Sequence, residues 1–325
     1  MKQHVKNTHS DHRTKNMAIA AVRLAFTLVF LSGLAAGFTG CGGTGSGQQA
    51  NPPVFDQLTV LVPEAPGTEV LGQPPLSLDI SATDHGYMTA LAADDGKRKN
   101  VQVVSEKSGV VYSYFLESGE SAVIPFTDGE GSYLISCYQQ TEDSLYAALS
   151  GYQLEVSFGN PFYPWLYPNQ YVNFSPDSEA CILAQEMLPE GSTDIDGLNA
   201  VYDYVTTHVV YDEDKARTIE AGYIPDVDET LRTGTGICFD YAALMTAMLR
   251  ARDIPCRLVT GYSGTIKHAW IDAWIQNKGW IRQAISFDGR SWNRLDPTFC
   301  SVSEDEDFIL AYIGDGDNYN EQYAH

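Results

Sequence analysis

Basic side chains are scarce in this chain: 20 Lys and Arg stand against 42 Asp and Glu, for a formal net charge of −22. Such a surface repels phosphate backbones and anionic headgroups, so it argues against nucleic-acid binding and against electrostatic adsorption to a membrane. Closely spaced cysteine and histidine pairs are also missing after residue 40. The six cysteines are scattered, so neither the ligand spacing of a zinc site nor a disulfide framework is present, and no metal or other cofactor is expected. Asp315-Gly-Asp317-Asn opens like a calcium loop but lacks the glycine at the sixth position and the bidentate glutamate, so the C-terminal residues read as a solvated acidic tail. Apolar runs are short, the run Leu24 to Phe38 being only about 15 residues, below the length a spanning helix needs.

That run follows Lys2, Lys6, Arg13, Lys15 and Arg23 and ends in Phe38-Thr-Gly40-Cys41. A basic stretch, an apolar core and small residues form an export signal. With cysteine next, the arrangement resembles the lipobox of bacterial lipoproteins. The resemblance implies a signal peptide over residues 1–40 and a lipid on Cys41. It also implies membrane attachment through that anchor and an extracytoplasmic, cell-surface location in a bacterium. Residues 41–53, rich in Gly, Ser and Gln, form a flexible tether. Loss of residues 1–40 leaves 15 basic against 41 acidic residues. Five cysteines remain, Cys137, Cys181, Cys238, Cys256 and Cys300, and an odd number leaves at least one thiol free or paired between chains.

Residues 54–158 alternate short apolar runs with Asp-Gly and Ser-Gly breaks: Leu58–Val62, Leu76–Ala82, Tyr87–Ala92, Val101–Ser105, Val110–Leu116, Ala122–Phe126, Tyr133–Gln139 and Tyr152–Phe158. This spacing predicts an antiparallel, Ig-like β-sandwich, with Tyr112, Tyr114 and Leu116 on one face and no catalytic constellation. A connector follows, with Pro161, Pro164 and Pro168 among aromatics, and the second domain occupies residues 159–325. Helical periodicity begins at Ser175 and again at Thr193, and a third helix starts at or near Cys238. Arg250 and Arg252 suit the last turn of that helix. Strands are expected over Cys256–Tyr262, His268–Ile275 and Trp280–Ile285, so the second domain is α+β.

Gly236-Ile-Cys238 puts a thiol at a helix N-terminus, where backbone N–H groups favour thiolate and can stabilise an oxyanion. His268 opens an amphipathic strand and supplies a base. Asp296, held before Pro297, supplies a carboxylate to orient the imidazole, with Asp272 as the lesser alternative. Tyr262 and Trp270 are candidates for the substrate-binding cleft wall, with core packing as the other reading.

Gly-x-Cys-x-Asp-Tyr-Ala, Ile-Pro-x-Arg-x-Val-x-Gly-Tyr at residues 254–262, His-Ala-Trp, Gly-Trp and Leu-Asp-Pro-Thr together resemble the transglutaminase-like core. The resemblance implies a papain-like catalytic domain in which Cys238 is the nucleophile, His268 the general base and acid, and Asp296 the orienting residue. It further implies acyl transfer from a peptide or carboxamide of a protein or peptide substrate, to water or to an amine. The competing reading is a non-catalytic surface binding or scaffold protein that retains the fold.

Overall fold

The computed structural model describes residues 51–55, 57–142, 145–220, 222–263, 265–287, 292–294 and 319–325. Residues 1–50, the expected export signal and Cys41 among them, lie outside the described residues, as do Asp296, Cys300 and Asp315 to Asn318.

Two four-stranded antiparallel sheets form the first half. One has the order β1-β2-β3-β6, from Val70–Gln73, Leu76–Asp79, Tyr87–Ala92 and Ser121–Pro125. The other has the order β5-β4-β7-β8, from Val111–Leu116, Lys99–Ser105, Gly131–Glu142 and Leu145–Val156. Alternation decides which side chains turn inward. Leu76, Leu78, Met88, Ala90 and Ile124 from the first sheet share one core with Val101, Val103, Tyr112, Tyr114, Leu116, Ile135 and Cys137 from the second. This is the expected sandwich, with Tyr112, Tyr114 and Leu116 buried together. Leu58–Val62 is not a strand. It runs as extended chain whose Val60 packs on the core of the second half, and the Thr59 N–H donates to Asp253 Oδ1 at 3.4 Å.

The second half opens with α1 (Glu179–Glu186) and α2 (Asp194–His208). Helix α2 starts at a reciprocal cap in which Thr193 Oγ1 accepts from the Asp196 N–H and the Asp196 carboxylate accepts from the Thr193 N–H. The acidic stretch after it holds β9 (Val210–Tyr211), the short helices α3 (Glu213–Thr218) and α4 (Val227–Thr233), and β10 (Thr235–Gly236). Helix α5 (Cys238–Arg250) is the central element, with every residue from Asp240 to Arg250 buried. Its Ala, Leu and Met side chains pack against α1, α2 and one face of a five-stranded antiparallel sheet. Burial of each large side chain there contributes about 1.5–3 kcal/mol.

That sheet has the order β14-β13-β12-β11-β15, from Trp292–Arg294, Gly279–Phe287, Ile266–Ile275, Cys256–Ser263 and Tyr319–Ala324. On β12, Ala269, Ile271, Ala273 and Ile275 face α5, while Trp270 and Trp274 turn to the other side and meet Trp165 and Phe162 of the connector. Beyond the stretch Asp315 to Asn318, Tyr319–Ala324 pairs along β11, and His325 is buried. Arg250 is also more than a complement to the helix dipole. Its guanidinium is fully enclosed and donates to the carbonyls of Tyr167 (2.7 Å), Cys256 (2.8 and 3.0 Å) and His325 (2.9 Å). One side chain thus ties the end of α5 to the connector, β11 and the last described residue, and its burial pushes the guanidinium down to about 10.

Candidate active site

Cys238 is the first residue of α5 and is half-buried. Gly234 takes a left-handed φ of 63° to end α4, and the chain crosses β10 before turning into α5. Gly236 has a steric reason to be glycine: a Cβ there would lie 2.7 Å from Asp240 Cβ. The Asp240 carboxylate caps the helix by accepting from the Ile237 N–H at 2.8 Å.

The sulfur of Cys238 faces the backbone N–H of Ala269 on β12, and also those of Phe239 and of Cys238 itself. Ala269 follows His268 directly, so helix and strand bring the thiol beside the histidine-bearing end of β12. Among the described residues the β12–β13 pairing runs from Ile271 to Ile275 and stops short of His268 and Ala269. His268 is half-buried, and its ring centroid lies 6.3 Å from that of Trp270.

The expected lowering of the Cys238 thiol does not hold. Burial pushes it above the ordinary thiol value, the nearby Asp240 charge adds to that rise, and the N–H groups aimed at the sulfur oppose it without prevailing. Cys181 and Cys256, more deeply enclosed, are pushed up to about 12. Cys238 is accordingly the most accessible thiol among the described cysteines, since Cys137, Cys181 and Cys256 are all buried.

Tyr211 is a neighbour of Cys238 that the motifs do not point to. Strand β9 pairs in parallel with β10, Val210 with Thr235 and Tyr211 with Gly236. This sets the Tyr211 hydroxyl against the Cys238 backbone N–H. Burial, then the charge on Cys238, raises the phenol above its ordinary value, so it stays a neutral donor. A carbonyl oxygen entering between these two groups would meet an N–H and an O–H. The parallel bridge joins residues far apart in the chain, which no local motif encodes.

Asp296 lies outside the described residues. Asp272 is buried on β12 opposite Arg257 of β11. The Arg257 guanidinium in turn sits 3.7 Å over the Trp280 ring and 4.5 Å over the Trp165 ring. Asp272 therefore belongs to a charged and aromatic layer beneath the sheet. Trp270 is buried in that layer with Trp165, Val259 and Ala324. Tyr262 is half-buried on β11, paired with Lys267 and Asn320. Among the described residues no group of three or more His, Cys, Asp or Glu side chains could hold a metal.

Residues 182–284 match the model of the transglutaminase-like superfamily. Kyphoscoliosis peptidase from Mus musculus is 27% identical over 131 residues, covering 37% of this chain and 18% of the relative. The Homo sapiens protein is 28% identical over the same length and shares. The chain thus spans less than a fifth of the length of these curated relatives. A solved structure of a candidate cysteine protease from Cytophaga hutchinsonii is 15% identical, covers 74% of this chain and 79% of that one, and superposes with a TM-score of 0.36. With Cys238 and His268 both inside the matched stretch, residues 182–284 are a domain of the transglutaminase-like superfamily.

Proposed function

We propose that this protein is an extracytoplasmic cysteine acyl-transfer enzyme acting on peptide or carboxamide bonds of proteins or peptides. The observation that carries the reading is the Cys238 sulfur at the start of α5, turned to the Ala269 N–H next to His268. Because burial keeps the resting thiol protonated, a base must take its proton as attack begins. In this reading His268 accepts that proton, and the sulfur bonds to the carbonyl carbon. The resulting oxyanion is met by the Cys238 N–H and the Tyr211 hydroxyl. Collapse expels ammonia or an amine, which takes the proton back from His268 and leaves a thioester. Water or a second amine then resolves the thioester, giving hydrolysis or cross-linking. Asp296 is proposed to orient His268.

The export signal and lipobox-like sequence around Cys41 support attachment to a membrane outside the cytoplasm. Cys41→Ala is expected to release the protein from the membrane fraction. For the chemistry, a peptide library is incubated with the protein and with a primary amine. Mass spectrometry then separates cleavage, deamidation and amine incorporation. Wild type is expected to yield at least one of these products and Cys238→Ala none; equal product from both would refute the reading.

A further inference from the structure

Beside the nucleophile lies a charged cluster that the acyl-transfer scheme does not use. Asp240 is completely buried two residues after Cys238. Its Oδ2 accepts from Lys215 Nζ at 2.6 Å and from the Ile237 N–H at 2.8 Å, and its Oδ1 accepts from the Tyr223 hydroxyl at 2.5 Å. Lys215 also donates to Tyr223 Oη at 2.7 Å and lies 4.6 Å over the Tyr223 ring. Lys215 belongs to α3 and Tyr223 to the loop after it, so both come from the acidic stretch between β9 and α4.

We propose that Lys215 is a positioning residue for Cys238: with Tyr223 it latches the 212–226 segment onto the buried Asp240 carboxylate and offsets that charge beside the thiol. The proposal rests on Cys238 being the nucleophile. The physical need is plain, since a carboxylate taken wholly out of water is costly unless paired and hydrogen-bonded. Asp240 is needed where it is, because it caps the helix whose first N–H groups face the sulfur. Yet its charge opposes the thiolate, and the Lys215 cation, bonded to the same carboxylate, acts against that opposition without displacing the cap. The other ionisable groups at this corner are Tyr211 of β9, which faces Cys238, Glu213, whose charge acts on Tyr211, and His268 of β12. The pairing is not visible in motif spacing, because Lys215 and Asp240 lie 25 residues apart in sequence.

The test is the pH dependence of iodoacetamide alkylation at Cys238, resolved by peptide mass spectrometry on the folded full chain. This readout needs no substrate. Lys215→Met is expected to raise the alkylation midpoint by about 0.5–1 pH unit, and Asp240→Asn to lower it by a similar amount. Lys215→Arg is expected to restore the wild-type midpoint, and the double variant Lys215→Met with Asp240→Asn to fall near it. A latch with only a structural role would give no such opposite signs. Unchanged midpoints in both folded single variants would overturn the proposal. If Lys215→Met fails to fold, Asp240→Asn is compared with the double variant: a lower midpoint in the single variant supports the proposal and equal midpoints overturn it. Full activity of Cys238→Ala would instead remove the enzyme reading and leave these midpoints as measured.

Discussion

The backbone carbonyl of Asn320 lies so close to Gly261 that a Cβ on that glycine would overlap it, and would also come 3.0 Å from the Trp270 indole. The contact falls at the register shift between Thr260 and Gly261, where β15 bends against β11. Gly261→Ala is therefore expected to force β15 off the sheet that carries His268. The cost is expected to be about 2 kcal/mol or more. Urea unfolding would measure it, and limited proteolysis should cut near residues 319–325 in the variant first.

Asp253 is placed to make stability depend on pH. Burial pushes its carboxyl from 3.8 up to about 7. A carboxyl that is harder to ionise in the folded chain costs stability once ionised. The cost is absent below about pH 4, grows toward pH 7 and is complete above it. Asp253 adopts a φ of 60°, which asparagine tolerates, and its Oδ1 role toward Thr59 is retained in the amide. Asp253→Asn is expected to raise Tm by about 2 °C or more at pH 8. The gain should vanish near pH 4, as calorimetry at both pH values would check.

Removal of the Tyr211 hydroxyl isolates its proposed role as an oxyanion donor. The phenol ring packs on the core through β9 and would remain in Tyr211→Phe. Loss of one such donor is expected to lower kcat about 100-fold with little change in KM. An equal loss confined to KM would assign Tyr211 to ground-state binding instead.

Much of this architecture is legible in the residues themselves. The Ala, Leu and Met spacing of α5 and the alternation from His268 to Ile275 dictate a helix and a two-faced strand, and both form as expected. The sandwich follows from the same alternation in Tyr112, Tyr114 and Leu116. Strand β15 was hidden because Tyr-Asn-Glu-Gln-Tyr-Ala has no clean apolar face; its pairing comes from β11. Leu58–Val62 has strand-like residues but finds no strand partner among the described residues, and Val60 and Leu61 pack on side chains instead. The raised thiol of Cys238 depends on burial and on a buried Asp240, neither of which a local motif encodes. The Tyr211 and Lys215 contacts depend on how distant segments fold back on the start of α5.

The central claim is that Cys238 forms a covalent acyl intermediate, and the most direct measurement is the intact mass of the protein quenched in acid during turnover of a responding peptide. An adduct equal to the acyl portion of the substrate, mapped to the Cys238 peptide and absent from Cys238→Ala, is the predicted result. Product formation at the wild-type rate by Cys238→Ala, or an adduct mapped to another residue, would contradict the account.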